Sequence, residues 1–283
     1  MEPIGLVAGS GRFPVLFAQA AAAAGRSVVA AAHEGETDPE LERHVGRFTW
    51  VKLGQLGRIA EVLVQGGCRE AVFCGGLRKV RLFDLRPDWL GVKVLAGLRS
   101  FGDDASLRAI ADALERQGVR VTSPLPLVPD LLAPRGPLGR RCLTGEQRSD
   151  AEVGFAVARS LGALDVGQTV VVKRGVVLAV EALEGTDACI ARGGALAEGA
   201  VVVKAFKPQQ DPRFDVPAVG PETVAAMQAG RCAALALEAG KAVVLDRAAL
   251  ASAADRAGIA VEGIQVPARP GAEGPGPERL PPE

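Results

Sequence analysis

The 283-residue sequence has no tyrosine and only two histidines, and none of its five cysteines stands in a C-x-x-C pair. Cys68, Cys74, Cys142, Cys189 and Cys232 are odd in number and scattered. That excludes a disulfide frame or a cysteine zinc site and predicts reduced thiols in a cytoplasmic protein. His33 and His44 fall in or beside an acidic loop. No serine or cysteine is set against them in a nucleophilic triad, so both read as incidental. The missing tyrosine goes with abundant Ala, Gly, Arg and Pro, a compositional bias without functional content. No charge of one sign is in excess: 33 basic residues meet 33 acidic ones. Broad nucleic-acid binding normally needs a basic surplus and is disfavoured, while a local cationic site is allowed. No apolar run approaches the roughly 18 residues of a membrane span. A lipid would have to be met from the water side. At the N-terminus, MEPIGLVAGSGRFP puts Glu2 where a signal peptide needs positive charge, and Arg12 and the glycines break any apolar core, so no secretory signal is expected.

What is present is an alternation of apolar runs and helical patterns. With 48 % hydrophobic and 23 % charged residues, the chain resembles an ordinary soluble protein long enough for two domains. PIGLVA, SVVAAAH, TWVKL, EAVFCGG and VRVTSP read as strands. FPVLFAQAAAAAG, QLGRIAEVLVQGG, WLGVKVLAGL and ASLRAIADALERQG read as helices between them. Near-continuous apolar strands alternating with helices predict a parallel, doubly wound, Rossmann-like α/β domain over residues 1–130. Residues 124–141 hold five prolines and read as an extended linker and domain boundary. A second, mixed α/β domain is expected over 131–265. In it, SDAEVGFAVARSLG, EGTDACIARGG and PETVAAMQAG are helical, TVVVKRGVVLAVEA is a hairpin turning at Lys173–Arg174–Gly175, and GAVVVKAF is a strand. The tail from 266 to 283 lacks anything to bury and reads as disordered.

Four motifs carry candidate chemistry. Gly9-Ser10-Gly11-Arg12-Phe13-Pro14 lies at a strand-to-helix junction, where glycines let a ligand approach and the helix start offers free N–H groups to phosphate. The same pattern suits a tight turn with no ligand. Pro14 replaces the third glycine of a dinucleotide fingerprint, although Glu34 falls roughly where a ribose-binding acid would. The second motif, around Gly75-Gly76-Leu77-Arg78-Lys79, closes a strand and suits either an anion or a solvated basic loop. Nearby, Asp103 and Asp104 offer a helix cap and a carboxylate for a sugar hydroxyl or a metal. In the third, Glu184-Gly185-Thr186-Asp187, two carboxylates can face one point, while Thr186 or Asp187 can equally cap a helix. The fourth is KAFKPQQDPRFDVPAVG, residues 204–220, which follows a buried strand. Pro208, Pro212 and Pro217 stiffen it and pre-position Lys204, Lys207, Asp211, Arg213 and Asp215. Asp211 and Asp215 suit a hard divalent cation, and the three cations suit phosphate oxygens. Surface ion pairs alone contribute little stability and do not account for so stiff a loop.

The stretches GLVAGSGRFP, GGLRKV, FGDD, EGTD and, most specifically, KPQQDPRFDVPAVGPETV together resemble the LpxI-type UDP-2,3-diacylglucosamine pyrophosphatases of lipid A biosynthesis over about residues 3–264. The resemblance implies a magnesium-dependent (or manganese-dependent) hydrolase that is a dimer. It would sit peripherally at the cytoplasmic face of the inner membrane and bind its lipid substrate between two domains. Water would attack the sugar-side phosphorus to give lipid X and UMP. On that reading Asp215, Asp211 and Lys207 are catalytic. Gly9, Ser10, Gly11, Gly76, Lys79, Asp103, Asp104, Thr186, Lys204, Gln210 and Arg213 bind substrate. Asp215, Asp211, Glu184 and Asp187 hold metal. VRLFDLRPDWLG is a candidate acyl-chain lining, although core packing of Leu82, Phe83, Leu85 and Trp89 is the favoured reading there. Two other functions stay open: an NAD(P) oxidoreductase, from GSG and Glu34, and a non-catalytic nucleotide-sugar or lipid binder.

Overall fold

The computed structural model describes residues 2–76, 86–98, 103–207, 211–214 and 216–266, apart from the side chains of Asp103 and Asp104. The first half is built on five parallel strands: β1 (Ile4–Ala8), β2 (Val28–His33), β3 (Arg47–Val51), β4 (Glu70–Cys74) and β5 (Arg120–Val121). They lie in the order β3-β2-β1-β4-β5. Side chains alternate across β1. Ile4, Leu6 and Ala8 face helix α1 (Phe13–Ala23) with Phe17, while Val7 faces α2 (Leu56–Gln65) and α4 (Asp103–Arg116) with Ile59, Leu63 and Leu114. Both faces are covered, as the apolar strand runs predict. α3 (Trp89–Gly97) packs against α2 and α4, capped by the Asp88 carboxylate, which accepts from Gly91 N–H at 2.9 Å.

The second half holds a six-stranded sheet in the order β6-β13-β11-β9-β7-β8, and its strands are β6 (Gly136–Pro137), β7 (Thr169–Lys173), β8 (Val176–Val180), β9 (Val201–Lys204), β11 (Ala234–Glu238) and β13 (Ala260–Ile264). β9, β11 and β13 run parallel, while β7 is antiparallel to both its neighbours, β8 and β9, giving a mixed sheet within the expected mixed α/β domain. The hairpin turns where the sequence predicts, with Arg174 and Gly175 both at positive φ. The buried Asp150 carboxylate accepts both turn N–H groups, at 3.0 and 2.6 Å. Asp150 lies on α5 (Gly145–Ala163), which opens with a Thr144–Gln147 capping box and covers one face of the sheet. Helices α6 (Thr186–Leu196), α7 (Pro221–Ala229) and α8 (Arg247–Ala257) cover the other.

The segment expected to be an extended linker is instead docked. It forms two 3-10 turns, Leu125–Leu127 and Pro129–Leu131, and Leu125, Leu127, Leu131 and Leu132 pack on the first-half core, while Leu138 packs on the second-half core. A small two-stranded sheet, β10 (Ala218–Val219) with β12 (Val243–Val244), lies against the same core through Ala218 and Val243. Trp89 is 73 % exposed, so the expected core packing fails there. Leu82, Phe83 and Leu85 lie outside the described residues, as does the segment 267–283.

Candidate functional site

The strand order places the first glycine motif at a topological switch. From β1 the chain moves to β2 and β3 on one side and returns to β4 on the other. The crevice beyond the carboxyl ends of β1 and β4 is where open α/β sheets receive ligands. Gly9, Ser10 and Gly11 leave β1 there, and Gly75 and Gly76 leave β4. The two turns are laced together, with Ser10 donating to the Gly76 carbonyl from both N–H (2.7 Å) and hydroxyl (2.8 Å). A Cβ on Gly9 would come within 2.5 Å of that carbonyl oxygen, so this approach requires glycine. The α1 N-terminus beside it has no side-chain cap. Its N–H groups and dipole suit an anion.

Behind the crevice, His33 is buried at the end of β2 and donates from Nδ1 to the Ala8 carbonyl (2.8 Å), which also accepts from Thr37 (2.7 Å). Burial holds its pKa below the ordinary histidine value. The neutral ring braces the end of β1.

The second half contributes a buried polar cluster at the carboxyl end of β9. Lys204 is 7 % exposed, and its ammonium donates to Thr186 Oγ1 (3.1 Å) and the Ala218 carbonyl (3.0 Å). Thr186 in turn donates to Glu181 Oε1 at 3.0 Å. The expected capping role of Thr186 or Asp187 is not found: Gly185, at φ 85°, is the N-cap, and no side chain caps the helix. From Lys204 the chain crosses toward the first half. Glu238 at the end of β11 accepts from Phe206 N–H (3.0 Å) and so fixes where it leaves the sheet. Phe214 then enters the first-half core, edge-on to Phe73 of β4 with ring centroids 5.7 Å apart. Arg213 lies over the Phe214 ring and reaches Glu115 of α4 at 3.3 Å.

Two of the carboxylates expected to share a metal, Asp211 and Glu184, are each paired with an arginine. Asp211 grips Arg213 through both oxygens, at 3.0 Å from Nε and 2.7 Å from Nη2, and this bonding holds its pKa below the usual range. Glu184 is exposed and pairs with Arg192, which likewise lowers its pKa, and it also accepts from Ala182 N–H. Asp187 is exposed in the first turn of α6. Lys207 is buried with its ammonium on Asp165 at 2.8 Å. Among the described residues, no three His, Cys, Asp or Glu side chains form a metal cage. Glu184, Asp187 and Asp211 as arranged therefore do not fit one cation. Lys79, Gln210 and Asp215 lie outside the described residues, and Asp103 and Asp104 are placed only as the first backbone positions of α4. Burial raises the thiols of Cys68 and Cys232 to about 11 and Cys189 to about 12, and Cys74 also titrates well above its ordinary range. None of these four is a thiolate nucleophile at neutral pH.

Glu181, Phe214, Glu115 and Glu238 escape the sequence reading. Glu181 sits three residues before the motif that drew attention, and Phe214 reads as an apolar residue in a charged loop.

Residues 3–131 match the family model for the LpxI N-terminal domain, and residues 134–262 match the one for the LpxI C-terminal domain. The chain belongs to the LpxI family. It is 36 % identical over 282 residues to the UDP-2,3-diacylglucosamine pyrophosphatase LpxI of Caulobacter vibrioides, covering 95 % of this chain and 100 % of that protein. The LpxI models therefore span both the laced glycine turns and the Lys204 cluster. Among the described residues no helix is long and apolar enough to cross a membrane.

Proposed function

We propose that this chain is a UDP-2,3-diacylglucosamine pyrophosphatase, which hydrolyses the pyrophosphate bond to lipid X and UMP in lipid A synthesis. The supporting observation is its 36 % identity to the Caulobacter enzyme along essentially the full length of both chains. The site chemistry agrees. A pyrophosphate needs its charge neutralised, a water positioned and a leaving phosphate held in line. The bare α1 N-terminus and the glycine turns suit one phosphate, and the buried Lys204 ammonium at the end of β9 supplies a cation. Water attacks the sugar-side phosphorus in this reading, oriented or deprotonated by Asp215.

Magnesium or manganese dependence belongs to the proposal on the charge of the substrate and the resemblance. Asp215 is the ligand it leans on, since Asp211 and Glu184 are committed to arginines. Peripheral contact with the inner membrane from the cytoplasmic side and a homodimer complete the reading.

The test is UMP release from UDP-2,3-diacylglucosamine by purified protein with magnesium. Turnover that stops in chelator and returns with the metal is expected. Full turnover in chelator would remove the metal from the mechanism. Binding of NADH without UMP release would favour an oxidoreductase, and ligand retention without turnover a binding protein.

A further inference from the structure

Resting on the reading of Lys204 as a cation of the pyrophosphate site, we propose that Glu181 is its positioning residue, acting through the Thr186 hydroxyl. The bond directions follow from chemistry. An ammonium can only donate and an ionised carboxylate can only accept. Thr186 Oγ1 lies 3.1 Å from Lys204 Nζ and 3.0 Å from Glu181 Oε1. Its single proton must therefore go to Glu181, which turns its lone pairs toward Lys204. The chain of donation runs from Lys204 through Thr186 to Glu181, the nearer acceptor, with the Thr169 hydroxyl 3.4 Å from Thr186 Oγ1.

Three secondary-structure elements bring these groups together. Lys204 ends β9, Thr186 opens α6, and Glu181 follows the last residue of β8. Lys204 and Glu181 are 7 % and 9 % exposed. A buried ammonium is tolerated only when its donors are satisfied. Glu181 orients the hydroxyl that satisfies one of them and is itself anchored by Gln168 N–H at 3.4 Å. Without it, the freed hydroxyl proton can swing toward Lys204, and a donor then faces a donor. The ammonium loses its place at the mouth of the loop, and a small displacement there is costly for the reaction.

The experiment compares Glu181→Ala, Glu181→Gln, Thr186→Val and Thr186→Ser with the wild type. Glu181→Gln keeps an acceptor for the hydroxyl, and Thr186→Ser keeps the hydroxyl. Glu181→Ala and Thr186→Val should lower kcat/KM for UMP release by roughly tenfold to a hundredfold. The Gln and Ser variants should stay within about threefold of wild type. A second readout is independent of turnover: the rate at which an amine-acylating reagent modifies Lys204, located by mass spectrometry. It should rise about tenfold in the two disruptive variants. Lys207, buried on Asp165, should stay slow and so report an intact fold. Lys204 reactivity unchanged in both disruptive variants would overturn the proposal, as would equal activity loss in Glu181→Ala and Glu181→Gln. Absence of UMP release from wild type would remove the functional reading, while the acylation rates would still judge the positioning.

Discussion

At the scale of single residues, the candidate site separates groups that look alike in sequence. Asp211 and Asp215 are four apart on one stiff loop, yet Asp211 is tied to Arg213 through both oxygens. Asp211 therefore braces the loop, and in the proposed mechanism the reactive role falls to Asp215, which in sequence stands between Phe214 and Val216 and between Pro212 and Pro217. Asp215→Ala should lower kcat by roughly a hundredfold or more with substrate affinity retained, as losing a general base or charge-stabilising group does. Near-normal turnover in a folded Asp215→Ala protein would move the role elsewhere. His33 gives a stability prediction. Its native pKa is lowered by burial, so below about pH 6.5 the unfolded chain binds a proton that the native state refuses. Stability should rise with pH across this window and be lost on acidification. His33→Asn, which can still donate to the Ala8 carbonyl, should flatten that dependence. Urea midpoints at pH 8 and pH 5.5 that change equally in both proteins would contradict it. Sequence exposed the charged loop because prolines and charges are local signals. It missed Glu181 because the groups that give Glu181 its role arrive from β9 and α6.

At the scale of elements, the strands and helices of the first half were legible because their periodicities are strong and their caps local. The hairpin at Lys173–Arg174–Gly175 was legible for the same reason. Two-residue strands such as β6, β10 and β12 have no periodicity to read and exist only through their partners. The start of α5 was placed too late because Ser149–Asp150 looks like a helix start. The operative cap is the Thr144–Gln147 box one turn earlier, and Asp150 serves the hairpin instead. Thr144→Ala should cost about 1 kcal/mol, the usual worth of such a cap, read from the shift in denaturant midpoint. The crossing loop offers a larger effect. Phe214 is buried against Phe73, α2 and α4, so Phe214→Ala should cost about 3–5 kcal/mol if the cavity does not collapse. Activity should fall with it because Asp215 is the next residue. A Phe214→Ala protein with unchanged stability would mean that the ring does not anchor the loop.

At the scale of the whole molecule, the two large sheets are separate but their contents are not. Phe214, Val216, Ala218, Val243 and Leu245 come from the second half of the chain and pack on the first-half cores. The docked segment before Ala133 adds Leu125, Leu127, Leu131 and Leu132 to the same surface. The boundary expected at residue 130 was read from a change in composition. The crossing was not, because apolar residues in a charged loop do not say which core they enter. We expect bound substrate to touch both halves, since the glycine turns belong to one and Lys204 to the other. Protection of residues from only one half in hydrogen exchange with substrate bound would count against this.

The crossing loop also bears on how such a protein can be rearranged. A cut between residues 131 and 134, where the two family models part, divides the sequence into tidy segments but leaves the first fragment without Phe214, Val216, Ala218 and Val243. That fragment would expose apolar surface in two places, on opposite faces of its sheet. Exchanging one half for that of a relative would therefore graft a foreign plug into both sockets, so the two halves are expected to be interchangeable only when the plug and its sockets travel together.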